Sequence, residues 1–157
     1  MAVIDNPMAK LHKFFHLPPA ELRLFLRAVF LQMMMRLGLW SLPFMRLIRV
    51  VDRLGRRQNL LQPDPLLPEK IAWAVNAACP FVPWSTCLTR ALVARIMLTR
   101  GGFPADLRIG VAKGENGQFQ AHAWVESGGS VIIGGTEHEN YVFFGNIGTF
   151  DTFCRSC

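Results

Sequence analysis

The apolar residues of this 157-residue chain change their period once, at Gly101-Gly102, and that change sets the order of its layers. Before it the spacing is helical. In PFMRLIRVVDRLGRR, Phe44, Leu47, Ile48, Val51 and Leu54 fall on one face, and Arg46, Arg49, Arg53 and Arg56 fall on the other. After it, ADLRIGVAKG sets Leu107, Ile109 and Val111 against Arg108 and Gly110, which is the period of a strand. GENG and SGG then read as hairpin turns between this strand, FQAHAWVE and SVIIGG, and the aromatic tail TEHENYVFFGNIGTFDTFCRSC has residues for one more strand. Helices first and strands afterwards predict an α+β fold: N-terminal helices, then a cysteine-bearing helix packed on a small antiparallel sheet. With 51% apolar residues, the length suits a single domain over 1–157. Within it we read an N-terminal helical layer, 1–62, and a core, 66–157, joined through the proline-bearing stretch QNLLQPDPLLP.

From Ala20 to Trp40 the text is strongly apolar but is interrupted by Arg23, Arg27, Gln32 and Arg36. A membrane span needs about 20 mostly apolar residues, and no run between these polar residues approaches that length. The stretch is expected to be a nearly buried helix started by Pro19, with Met33, Met34 and Met35 offering the alternative of a soft partner surface. Pro68 opens a further helix, EKIAWAVNAACP, which stops before Pro80. The net charge of +6, carried mostly by arginine, favours an acidic partner, and no nucleic-acid motif accompanies it. Four cysteines without a signal peptide point to free thiols in a reducing cytoplasm. His12 with His16, and the CRSC pair, each supply only two of the ligands a metal centre needs.

The stretch PWSTCLTRALVARIMLTRGG carries the chemistry. It reads as a helix capped by Ser85 or Trp84 and closed by Arg100 and Gly101, with Cys87 in its first turn. A thiol there meets unpaired backbone amides and the positive end of the helix dipole, which favour negative charge and can receive an oxyanion. The plain alternative is that Cys87 is a small buried core residue. Against it stands AHAWVE, where His122 shares a strand face with Gln120, Trp124 and Glu126. The 35 residues from Cys87 to His122 allow the helix to finish and two strands to return a base to its amino end.

PWSTCLTRAL, RGGFPADLRIGV and AHAWVE together resemble the leader peptidases of lasso-peptide biosynthesis, the stand-alone protease half of the processing B protein. These lie in the transglutaminase-like branch of papain-type folds. The resemblance implies that Cys87 is the nucleophile and His122 the general base. It implies a cysteine peptidase that hydrolyses one peptide bond to remove the leader from a ribosomally made precursor, without cofactor or metal. Relatives often place an Asp near the end of the strand after the histidine strand, yet here that strand reads VIIGG. The third member is therefore left among Glu126, Glu137, Glu139, Asp151 and a backbone carbonyl, with Trp84 and Trp124 as walls of the substrate site. The expected partners are the precursor peptide, a small leader-recognition protein and an ATP-dependent cyclase, with the methionine-rich helix and the arginine face as contact surfaces. The missing Asp keeps open a non-catalytic peptide-holding or scaffold subunit of the same complex. Acyl transfer to an amine would use the same residues.

Overall fold

Proline at the first helical position, where the missing amide hydrogen has no partner to lose, opens α1 (Pro19–Ser41). The computed structural model describes residues 18–55, 67–113, 118–135 and 142–146. Three further helices follow, α2 (Phe44–Gly55), α3 (Leu67–Ala78) and α4 (Cys87–Arg100), with a 3-10 turn at Cys79–Phe81. The strands are β1 (Asp106–Lys113), β2 (Phe119–Ser127), β3 (Ser130–Ile133) and β4 (Val142–Asn146). They form an antiparallel sheet in the order β3-β2-β1-β4. The helices-then-sheet order expected from the change of period is the observed one, and the tail supplies the fourth strand. Most of the proline-bearing linker, His12, His16 and the CRSC pair lie outside the described residues.

The change of period has a local cause. Gly102 takes the left-handed conformation (φ +84°), its amide donates to Thr99, and the amide of Phe103 donates to Leu98. These two bonds satisfy the last carbonyls of α4 and turn the chain out of the helix toward β1.

Helix α4 is the centre of the molecule. Ala91 to Ala94 and Ile96 to Leu98 are all buried, and the helix packs on α1, α2, α3 and β2. Each fully buried Leu or Ile contributes about 1.5–3 kcal/mol relative to an exposed one, so Leu92, Ile96 and Leu98 hold the helical layer to the sheet. The same core runs through α1, α2 and α3 and reaches Leu107, Ala123, Val125 and Ile133 of the strands. Helix α2 keeps its apolar stripe, Leu47, Ile48 and Val51, inward and its arginines outward. Asp52 of α2 pairs with Arg95 of α4 at 3.0 Å, and Arg100 Nε donates to the Leu54 carbonyl at 2.8 Å, which fixes the crossing of the two helices.

The expectation of a nearly buried helix over Ala20 to Trp40 needs correction. Only Phe25, Ala28, Gln32 and Met35 of α1 are buried, one stripe at three- and four-residue spacing. Leu26, Phe30, Met33, Met34, Leu37 and Trp40 are exposed, Trp40 at 89%. High mean hydropathy does not reveal how many neighbours a helix has, and α1 is covered on one side only. No described helix is long and apolar enough to cross a membrane.

Candidate active site

The approach to Cys87 is a tight, strained turn. Pro83 and Trp84 occupy its middle, Ser85 N donates to Val82 O at 3.3 Å, and Trp84 has φ +55°. Proline second and a positive φ third are the marks of a type II turn, in which the third place usually belongs to glycine. A non-glycine residue held there costs about 1–3 kcal/mol. Trp84 nevertheless sits there, and its side chain is 79% exposed. The helix cap then falls one residue later than expected: Thr86, not Ser85 or Trp84, is the N-cap, and its Oγ1 accepts from Thr89 N at 3.3 Å. Ser85 is occupied elsewhere, as described below. Cys87 is thus the first residue of α4, a half-buried free thiol packed against the core. The first intrahelical bond runs from Arg90 N to Thr86 O at 3.1 Å, so the amides at Cys87 and Leu88 belong to the orphan donors of a helix start.

His122 lies on β2 opposite Gly110 and is 8% exposed. Its Nε2 is 3.2 Å from the carbonyl oxygen of Gly134, the residue that follows β3. A carbonyl only accepts, so the neutral ring carries its hydrogen on Nε2 and Nδ1 is the basic nitrogen. Gly134 has φ +84°, and a Cβ built on it would lie 3.1 Å from His122 Nε2 and 2.8 Å from Trp124 Cβ. Glycine lets the backbone approach the ring this closely. The His122 and Trp124 rings stack at 6.2 Å between centroids. Trp124 Nε1 donates to Glu126 Oε1 at 2.9 Å, while Glu126 Oε2 pairs with Arg108 at 3.0 Å. Both oxygens of Glu126 are therefore engaged away from the imidazole. Glu137, Glu139 and Asp151 lie outside the described residues.

Helix α4 packs on β2, so the elements that carry Cys87 and His122 are in contact. The alternation of β2 directs Ala123 and Val125 into the core shared with the helices, and His122, Trp124 and Glu126 onto the alternate face. Among the described residues Cys87 Sγ has no hydrogen-bond partner. The fold brings the helix and the strand together, and it does not join thiol and imidazole by a hydrogen bond.

Gln32, which in the sequence stands only as a break in an apolar run, bonds to the turn before Cys87. Gln32 of α1 is fully buried; its Nε2 donates to the Val75 carbonyl of α3 at 2.8 Å and its Oε1 accepts from Ser85 Oγ at 2.9 Å. The signal was available, since Gln32 falls on the stripe of Phe25, Ala28 and Met35, and a polar side chain on a buried stripe must bond within the core.

A cavity of about 770 Å³ opens at the other end of α4, lined by Phe30, Met34 and Leu37 of α1, Val50 of α2, and Met97 with Arg100 of α4. Met97 lies ten positions after Cys87, about 15 Å along the helix axis, so this cavity is distinct from the thiol site.

A family model described as the Transglutaminase-like superfamily matches residues 29–144, a span that contains Cys87, His122 and Gly134. Comparison with curated proteins and comparison with solved structures each give no match.

Proposed function

The chain belongs to the transglutaminase-like superfamily, which includes cysteine proteases, and from that premise we propose that it removes the leader peptide from a ribosomally made lasso-peptide precursor. The observation that carries this reading is the station of Cys87, first residue of a capped helix packed on the strand of His122, with both inside the matched span. His122 Nδ1 takes the thiol proton, the sulfur attacks the scissile carbonyl carbon, and the amides at the start of α4 receive the oxyanion. Collapse of the tetrahedral intermediate breaks the carbon–nitrogen bond as His122 returns the proton to the departing amine, leaving a Cys87 thioester. Water, deprotonated by the same ring, adds to the thioester carbonyl carbon; the carbon–sulfur bond then breaks, the acid leaves and the ring returns the proton to Cys87. Catalysis on this reading requires the thiol and the ring to come together when precursor and partner bind. Trp84, strained and exposed three residues before the thiol, offers its ring to the substrate.

A second reading, a non-catalytic subunit that holds the peptide, is favoured by the absence of a bond between Cys87 and His122 among the described residues. Two measurements separate the readings. A thiol-reactive probe at neutral pH is expected to label Cys87 before Cys79, Cys154 and Cys157, and incubation with precursor and recognition protein is expected to yield leader and core as separate masses. Equal labelling of all four cysteines with an intact precursor assigns the protein to the holding role.

The recognition partner is proposed to dock on the α1–α2 side, where Phe30, Met33, Met34 and Leu37 are exposed and Arg46, Arg49 and Arg53 face outward. Reversing these three arginines to Glu is expected to weaken binding of an acidic partner by about tenfold or more at low salt, with a smaller loss near 0.5 M, because exposed charges more than a Debye length apart are screened. Titration at two ionic strengths checks this, and equal affinity at low salt would return those arginines to a purely solvating role.

A further inference from the structure

We infer that Gln32 is a positioning residue for Cys87: it anchors, from the first helix, the strained turn that presents the thiol. The inference rests on the reading of Cys87 as the nucleophile. Gln32 and Cys87 lie 55 positions apart and on different helices, yet a short chain of bonds connects their segments. Gln32 Nε2 donates to Val75 O at 2.8 Å, which fixes the amide so that Oε1 faces Ser85. Ser85 Oγ then donates to Oε1 at 2.9 Å. The Ser85 hydroxyl is also 3.8 Å from Cys79 Sγ, and Cys79 Sγ donates to Val75 O at 3.4 Å, so both partners of Ser85 are bonded to one carbonyl of α3.

Ser85 closes the turn that holds Trp84 at φ +55° and lies two residues before Cys87. A residue in that conformation persists only where its surroundings over-determine it. Val82, 2% exposed, secures one end of the turn, and the bond to Gln32 secures the other. Without that bond the turn can relax toward a negative φ at Trp84, which re-aims the indole and the first residue of α4 together. An amide buried in an otherwise apolar stripe is costly unless both of its ends are bonded, as they are here. It suits a part whose purpose is to fix one geometry. Because the opposite side of α1 is its exposed apolar face, a partner seated there would bear on the helix that holds this anchor.

The test is the rate at which iodoacetamide alkylates Cys87 in the folded protein, followed by peptide mass, with Cys79 read in parallel. Ser85→Ala removes the bond to Gln32 and leaves Gln32 on Val75; it is expected to slow Cys87 by about tenfold, since a re-aimed thiol leaves the orphan amides at the start of α4. Ser85→Thr keeps a hydroxyl and is expected to stay within about twofold of the parent. Gln32→Leu should match Ser85→Ala, and should it fail to fold, the serine pair still decides. The direction of the change separates positioning from plain stability. General loosening exposes thiols and speeds labelling of Cys79 and Cys87 alike, whereas lost positioning slows Cys87 alone. Unchanged or faster Cys87 labelling in Ser85→Ala overturns the inference. A parent protein whose Cys87 reacts no faster than Cys79 overturns it together with the nucleophile reading. Rapid Cys87 labelling that is lost in Ser85→Ala, with the precursor left intact, keeps the anchor and discards the proteolysis.

Discussion

Cys87→Ala, His122→Ala and the double variant are expected to lose leader cleavage by nearly the same factor, on the order of 10⁴- to 10⁶-fold in kcat. The equality matters more than the size. A nucleophile and the base that activates it form one device, so removing either part removes the device, and the second removal has nothing left to take. Two residues that contributed independently would multiply, and the double variant would be far worse than either single one. Cleavage should be followed under single-turnover conditions with precursor and recognition protein present, and folding checked by circular dichroism. Glu126→Gln, in contrast, is expected to lose little activity, because its oxygens serve Trp124 and Arg108. The ion pair itself is partly exposed and is worth about 1 kcal/mol or less. Glu137, Glu139 and Asp151 are changed one at a time in the same assay, and a loss confined to one of them names a carboxylate that orients the ring. His122→Ala with cleavage near the parent rate would sink the catalytic reading and leave the holding role in its place.

The parts of this molecule that could be read in advance are those where a periodicity or a turn dictates the chain path. The switch at Gly101-Gly102, the hairpin glycines Gly128 and Gly129 with positive φ, and the alternation of AHAWVE all follow from backbone sterics, and all appear in the fold. What could not be read depends on who the neighbours are. The apolar text of α1 does not say that only one stripe of it is covered. The cap of α4 reads in the sequence as Ser85 or Trp84. Gln32 draws the Ser85 hydroxyl inward, and Thr86, one residue later, accepts from the Thr89 amide. The partner of His122 Nε2 was the least legible of all, since a main-chain carbonyl has no letter of its own. Its only trace in the sequence is the absence of a side chain at Gly134.

That absence gives the sharpest remaining test. Gly134→Ala is expected to destabilise the fold and to cut cleavage by about a hundredfold, a typical cost of moving a catalytic group by an ångström. Two physical effects act together. A residue with a Cβ at φ +84° loses about 1–2 kcal/mol to the left-handed conformation. The new methyl would also lie 2.8 Å from Trp124 Cβ and 3.1 Å from both the Ala123 oxygen and His122 Nε2. Contacts below 3.0 Å are essentially never seen, and Trp124 Cβ is rooted on a central strand, so the segment after β3 must move and take its carbonyl with it. Such overpacking costs about 1–3 kcal/mol more. The ring then loses the acceptor that keeps its hydrogen on Nε2, and the wrong tautomer leaves no basic nitrogen at Nδ1. Gly129→Ala separates the two effects. Gly129 has φ +83° with nothing within 4 Å of its would-be Cβ, so that variant carries the backbone strain alone. It should lower the melting temperature by the smaller amount and leave kcat untouched. If Gly134→Ala loses stability but cleaves as fast as Gly129→Ala, the Gly134 carbonyl does not orient His122, and the orienting group must be sought among the carboxylates of the tail.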